Sequence, residues 1–238
     1  MQTQNLKRFY QKAEAVRDDL APGWRIHLDG RAVKSPGRAD FVLTSEALAR
    51  AIAAEWDGQG EHIVPSTMPM MQLAATVIDR VVPNRMAVIG DLTGYGRSDL
   101  LCYRADFPEE LVTRQAKAWQ PLLDWAAREL GVTLKVTQGV MPVAQDDATL
   151  LHLQDAIEIL DDNELTALHT VTTISGSVII GLAMLRGFIT AAEVFDIAQI
   201  DDSYSMERWG EDAEAMERRQ RQKAEFLAAG RFLELLRG

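Results

Sequence analysis

Polar and apolar residues alternate along Trp24-Arg25-Ile26-His27-Leu28, and again along Arg31-Ala32-Val33-Lys34. Asp29-Gly30 lies between the two runs, which is a strong short-range signal for a β-hairpin. Pro36-Gly37 ends the second strand, and Phe41-Val42-Leu43 is expected to form a third. The period then changes. Leu48, Ile52 and Trp56 recur every four residues behind Thr44-Ser45-Glu46, so one helix is predicted from about 45, stopped by Gly58 and Gly60. That spacing makes Trp56 a packing anchor, in the core or at a domain junction.

A second helix is expected from Ser66-Thr67-Met68-Pro69, broken at Pro83-Asn84 and resumed through Leu92. The apolar run Asp99–Arg104 reads as a strand. From Phe107-Pro108 onward the pattern is helical: a long amphipathic stretch with Trp119, Leu122, Leu123 and Trp125, expected to kink or break at Pro121. A short extended piece follows at 132–136, then helices over roughly 146–160, 163–187, 190–208 and 210–236. The fold class is therefore α+β, with a β-rich N-terminal domain over 1–106 and an all-helical C-terminal domain over 107–238. The apolar run from Val171 to Phe188 contains Thr, Ser, Gly and Arg186, and is expected to be a buried core helix rather than a membrane span.

The composition is that of an ordinary globular chain of 238 residues, with 47% hydrophobic and 25% charged residues. A net charge of −10 argues against sequence-independent nucleic-acid binding and against docking on anionic lipid. It favours solubility, or a partner with a basic face. The single cysteine, Cys102, excludes an internal disulfide and a cysteine-cluster zinc site, and within an apolar run it is expected to be a buried, inert thiol. Basic residues at 7–12 are followed at once by Glu14, Asp18 and Asp19, unlike an acid-poor transit peptide. A mature protein of the bacterial cytoplasm, or a processed one, is expected.

Catalytic signatures do not emerge. The four histidines, His27, His62, His152 and His169, show no metal-ligand spacing. Gly94-Tyr95-Gly96 precedes a strand where a nucleotide loop should follow one, and Ser175-Gly176-Ser177 lacks the flanking glycines of a nucleophile elbow. No catalytic, cofactor or metal residue is assigned. A carboxylate-dependent hydrolase drawing on Asp99, Asp106 and the 201–202 pair stays open as an alternative, as does a generic acidic adaptor.

The densest acidic segment runs from Asp201 to Glu214. After Trp209, acids at the start of a helix complement its dipole. Asp201 and Asp202 fall inside the expected 190–208 helix, where no cap is needed. With Tyr204 and Trp209 nearby, the four residues are candidates for an acid-rimmed aromatic contact with a protein partner.

Several blocks occur in an order and spacing that resemble one family. They are Lys7-Arg8-Phe9-Tyr10, Gly23-Trp24, Leu28-Asp29-Gly30-Arg31, Lys34-Ser35-Pro36, Glu55-Trp56-Asp57, Met68-Pro69, Leu101-Cys102-Tyr103-Arg104, Trp119, Trp125-Ala126, and Tyr204 with Trp209-Gly210. Together they resemble the ATP12 assembly chaperones of the F1 ATP synthase. The resemblance implies a non-enzymatic chaperone that binds the unassembled F1 α subunit and keeps it from aggregating until β arrives. It further implies a functional acid before Tyr204, falling on Asp201 with Asp202 adjacent. A monomer without cofactor is expected.

Overall fold

In the computed structural model, residues 6–18, 22–139, 141–210 and 212–237 are described. Asp19 and Glu211 lie outside them. The chain divides into two compact units, Met1–Asn84 with Arg231–Gly238, and Arg85–Gly230. The α+β architecture is as expected, with the sheet early and the helices late.

The first unit is built on a small antiparallel sheet. β1 (Ala13–Arg17) pairs with β2 (Trp24–Leu28), which pairs on its other side with β3 (Arg31–Ala32) and β4 (Val42–Leu43). The hairpin turn at Asp29-Gly30 forms as expected, with φ of 48° and 80°, the doubly positive backbone that a two-residue turn matching strand twist requires. β1 carries no clean alternation and was not anticipated; its burial is intermediate almost throughout, which leaves no apolar face to read. α1 (Glu46–Asp57) starts where the sequence placed it. Ser45 accepts from the Leu48 N–H at 3.2 Å and donates to the Leu235 carbonyl. Ile26, Phe41, Leu48, Ala49 and Ile52 form the core between sheet and helix.

Blocks far apart in sequence meet here. The Tyr10 hydroxyl donates to the Trp56 carbonyl at 2.6 Å, Arg8 donates to the Asp57 carbonyl at 3.0 Å, and Asp29 accepts the N–H groups of Gln11 and Lys12. Glu55 accepts from the Met70 and Met71 N–H groups, both at 2.8 Å, at the start of α2 (Pro69–Thr76). A carboxylate there satisfies orphan donors beside a proline that has none. Burial raises the Glu55 pKa, against the opposing pull of those two bonds. After α2 the chain passes through a π-helical turn, Val77–Val81, whose Asp79 holds Ser35 and the Gly37 N–H.

In the second unit α3 (Arg85–Tyr95) leads to a 3-10 turn at Leu100–Cys102 and the two-residue strand β5 (Tyr103–Arg104). The expected strand over 99–104 is thus mostly a turn, because Asp99 caps it by accepting from the Leu101 N–H. β5 pairs in parallel with β6 (Thr137–Gln138), just beyond the extended piece expected at 132–136. α4 (Glu109–Leu130) runs unbroken through Pro121. Both Pro121 and Lys117, whose carbonyl loses its partner, are exposed, so water can replace the missing bond.

α5 spans Asp147–Glu158. The helix expected over 163–187 is two, α6 (Asp162–Ser175) and α7 (Val178–Leu185), separated where Gly176 turns left-handed and Ser177 caps α7. Every residue of α7 is buried, so the apolar run does form a core element. No helix among the described residues is long and apolar enough to cross a membrane. The helix expected over 190–208 is also two, α8 (Ala191–Ala198) and α9 (Ile200–Trp209), and α10 follows over Ala213–Arg237.

Candidate functional site

The break at Gln199 changes the meaning of the acids. Gln199 leaves the helical region, with its side chain accepting from Arg219 at 3.0 Å, and α9 starts at the next residue. Asp201 and Asp202 therefore stand in the first turn of a helix, where negative charge complements the dipole. The premise that they sit mid-helix is corrected. Asp212 has a comparable local role, accepting from the Ala215 N–H at 2.8 Å beside α10.

α9 sorts the four candidate residues into two pairs. Asp201 and Tyr204, three apart, face α4. Asp202 and Trp209, seven apart, share an exposed stripe roughly 120° round the helix from that pair, about 10 Å along the axis from one another. On the inner stripe, Asp201 accepts from Gln115 Nε2 at 2.6 Å. Gln115 is buried, and its side-chain oxygen accepts from the Ala105 N–H at 2.8 Å. Its carbonyl accepts from Arg104, whose guanidinium lies 5.2 Å from the Trp119 ring centroid. Asp201 is the outer end of a polar chain that reaches into the core.

Tyr204 is buried between two cations, with the guanidinium of Arg208 4.9 Å and that of Arg114 5.4 Å from its ring centroid. Its hydroxyl has no partner among the described residues. Arg114 bridges Glu110 and Glu207, both at 2.8 Å, and Arg208 reaches Glu110 at 3.3 Å. Hydrogen bonds from Arg114 and then Arg208 hold Glu110 below the usual carboxyl range, and those to Glu207 and then Glu110 raise Arg114. These pairs are exposed and fix geometry more than they add stability.

On the outer stripe, Asp202 is exposed and has no hydrogen-bond or ion-pair partner among the described residues. Trp209 is 78% exposed, the largest value among the exposed large hydrophobic residues. The indole stands two turns along the helix from that carboxylate. The sequence reading missed Gln115, Arg114 and Glu110. The Glu110–Arg114 spacing of four was legible, whereas nothing local marks Gln115 as buried.

Asp99, one of the carboxylates a hydrolase would need, is fully buried and accepts from the Leu101 and Ile179 N–H groups at 3.0 and 3.2 Å. Burial pushes it up to about 6, but it faces backbone rather than a cleft. Cys102 is buried as expected, its thiol pushed up to about 12 by desolvation. Among the described residues no cluster of three or more His, Cys, Asp or Glu is arranged to hold a metal.

Residues 7–127 match the family described as ATP12 chaperone protein. Protein atp12, mitochondrial, of Schizosaccharomyces pombe is 25% identical over 207 residues, covering 79% of this chain and 69% of that protein. The crystal structure of Atp12 from Paracoccus denitrificans is 42% identical, with a TM-score of 0.90 over 97% of this chain and 98% of that one. A mutant of the same Paracoccus protein, with lysine in place of an aspartate, matches with the same figures.

Proposed function

Because the chain belongs to the ATP12 chaperone family, which serves ATP synthase assembly, we propose that it binds the unassembled F1 α subunit and keeps it soluble until β takes its place. On this reading the protein works by shielding and without catalysis, as a monomer in the bacterial cytoplasm. An unassembled subunit exposes apolar surface meant for its neighbour, and such surface aggregates. A shield must also leave, which suits a modest contact with a polar rim.

One observation carries the choice of surface: Trp209 and the unpartnered Asp202 share the exposed stripe of α9. Covering an exposed indole removes on the order of 150–250 Å² from water, enough to make it an anchor worth about 2 kcal/mol or more. Asp201 and Tyr204 then serve as positioning residues, tying α9 to α4 so that the outer stripe is held in place. A mutant of the Paracoccus relative with an aspartate exchanged for lysine matches this chain's fold as closely as the unaltered protein does, so that relative keeps its fold through one charge reversal.

The test is a pull-down with separately expressed α and β subunits, alongside an α-aggregation assay. Capture of α alone, suppression of its aggregation and release on adding β are expected. Trp209→Ala and Asp202→Lys should each weaken capture at least tenfold with unchanged circular dichroism. Failure of the wild-type protein to bind α overturns the function; normal binding by both variants overturns the α9 assignment alone.

A further inference from the structure

The first unit holds a concavity of about 790 Å³ beside β3. Leu6, Phe9, Val33, Pro36 and Met71 supply its apolar wall, and two of them stand open to solvent, Leu6 at 61% and Phe9 at 66%. Tyr10 and Trp56 complete that wall, with their rings edge to face at 5.7 Å. The residues that meet here come from blocks centred near 9, 31 and 56, brought together by the Arg8, Tyr10 and Asp29 hydrogen bonds described above.

Two further observations say what would fill it. The first is charge. Arg31 and Lys34 line the concavity, and neither side chain makes a hydrogen bond or a contact ion pair among the described residues. The acid beside them, Asp29, is engaged with the N–H groups of Gln11 and Lys12 at 3.0 and 2.9 Å. In a chain of net charge −10, two cations face one acid at this rim, and although Arg31 lies in the field of Asp29, the balance is positive. The second is backbone. Leu28 faces Arg31 across the two-residue turn, His27 faces Ala32, and the Val33 N–H donates to the Ile26 carbonyl at 2.8 Å. Hydrogen-bonded and non-bonded pairs alternate in an antiparallel ladder, so the N–H and C=O of Ala32 point away from β2. Ala32 is exposed, and β3 is the last strand in the order β1-β2-β3. An unpaired edge beside an apolar groove is the arrangement that accepts an added strand.

We propose that this concavity docks an extended segment of the client, one that carries acidic side chains around a large apolar residue. The acids meet Arg31 and Lys34, the apolar side chain enters between Phe9 and Met71, and the segment's backbone exchanges hydrogen bonds with Ala32. The identity of the client rests on the reading above; the groove does not.

Fluorescein-labelled twelve-residue peptides tiled across the F1 α sequence, titrated by anisotropy against the whole protein, test this directly. Acidic peptides with a central aromatic or aliphatic residue should bind, more weakly as salt rises, and should shift the Trp56 indole N–H resonance. Arg31→Glu with Lys34→Glu should weaken them at least tenfold, and the milder Arg31→Ala with Lys34→Ala severalfold, with thermal midpoints unchanged. No binding peptide, or equal binding by the charge-reversed variant, overturns the proposal. Binding only after removal of residues 1–5 would assign the groove to the chain's own N-terminus, and a dimer lost on charge reversal would assign it to a second copy; either overturns it. Whole α subunit separates the two readings: capture by the wild type and equally by the charge-reversed protein refutes the groove alone. Absence of capture by the wild type refutes the client, and the peptide result still decides the groove.

Discussion

Asp201 and Asp202 are neighbours with different attachments, and alanine at each separates stability from binding. Asp201→Ala removes the acceptor of Gln115 Nε2, now held at 2.6 Å. Gln115 is 2% exposed, and leaving a buried amide unpaired costs about 1–3 kcal/mol. Because Asp201 itself is exposed, water can enter the vacated position, which points to the lower half of that range. The lost charge at the helix start adds about 0.3–1 kcal/mol. Asp202→Ala loses only this second contribution. The expected difference is therefore about 1 kcal/mol, roughly 2–4 °C in Tm at this chain length. Urea and thermal midpoints of Asp201→Ala, Gln115→Ala and the pair together form a cycle whose coupling should be about 1 kcal/mol. Capture of unassembled α should fall in the opposite order, more for Asp202→Ala than for Asp201→Ala. Equal destabilisation by the two alanines, with a coupling near zero, would refute the division of α9 into an inner and an outer stripe.

Three further outcomes are expected. Gly23→Ala should lower stability by about 1–3 kcal/mol, because a Cβ there would lie 2.6 Å from Val42 Cγ1 and 2.9 Å from the Leu43 carbonyl oxygen; an unchanged melting midpoint would contradict it. Cys102, buried and with its thiol pushed up to about 12 from 9.0, should react with a maleimide far more slowly in the native protein than in urea, and comparable rates would refute its burial. Asp99 has a folded pKa of about 6 against an ordinary 3.8, so its contribution to stability is full below about pH 4 and is lost as pH rises through 6. The urea midpoint of the wild type relative to Asp99→Asn should therefore decline between pH 4.5 and 7; a rising difference would show the opposite sign.

Local signals account for what the sequence alone determined. The Asp29-Gly30 hairpin, the Ser45 cap of α1 and the four-residue spacing along its buried face act within a few residues of one another, so they are legible without a fold. The change from strand to helix pattern, which makes the chain α+β, is of the same kind, and so are the blocks that mark its family. Tertiary structure decided the rest, because it rests on partners distant in sequence. Gln115 and Asp201 are 86 positions apart, so no pattern near residue 201 distinguishes it from Asp202. The break at Gly176-Ser177 carries a local stop and cap that the sequence reading passed over, whereas Gln199 carries no such signal and is held by Arg219, 20 positions away. The groove beside β3 requires residues near 9, 31 and 56 to be brought to one place. Burial and hydrogen-bond closure across such separations leave no periodic mark, and they decide which acid is tethered, which indole is open and which strand edge is free.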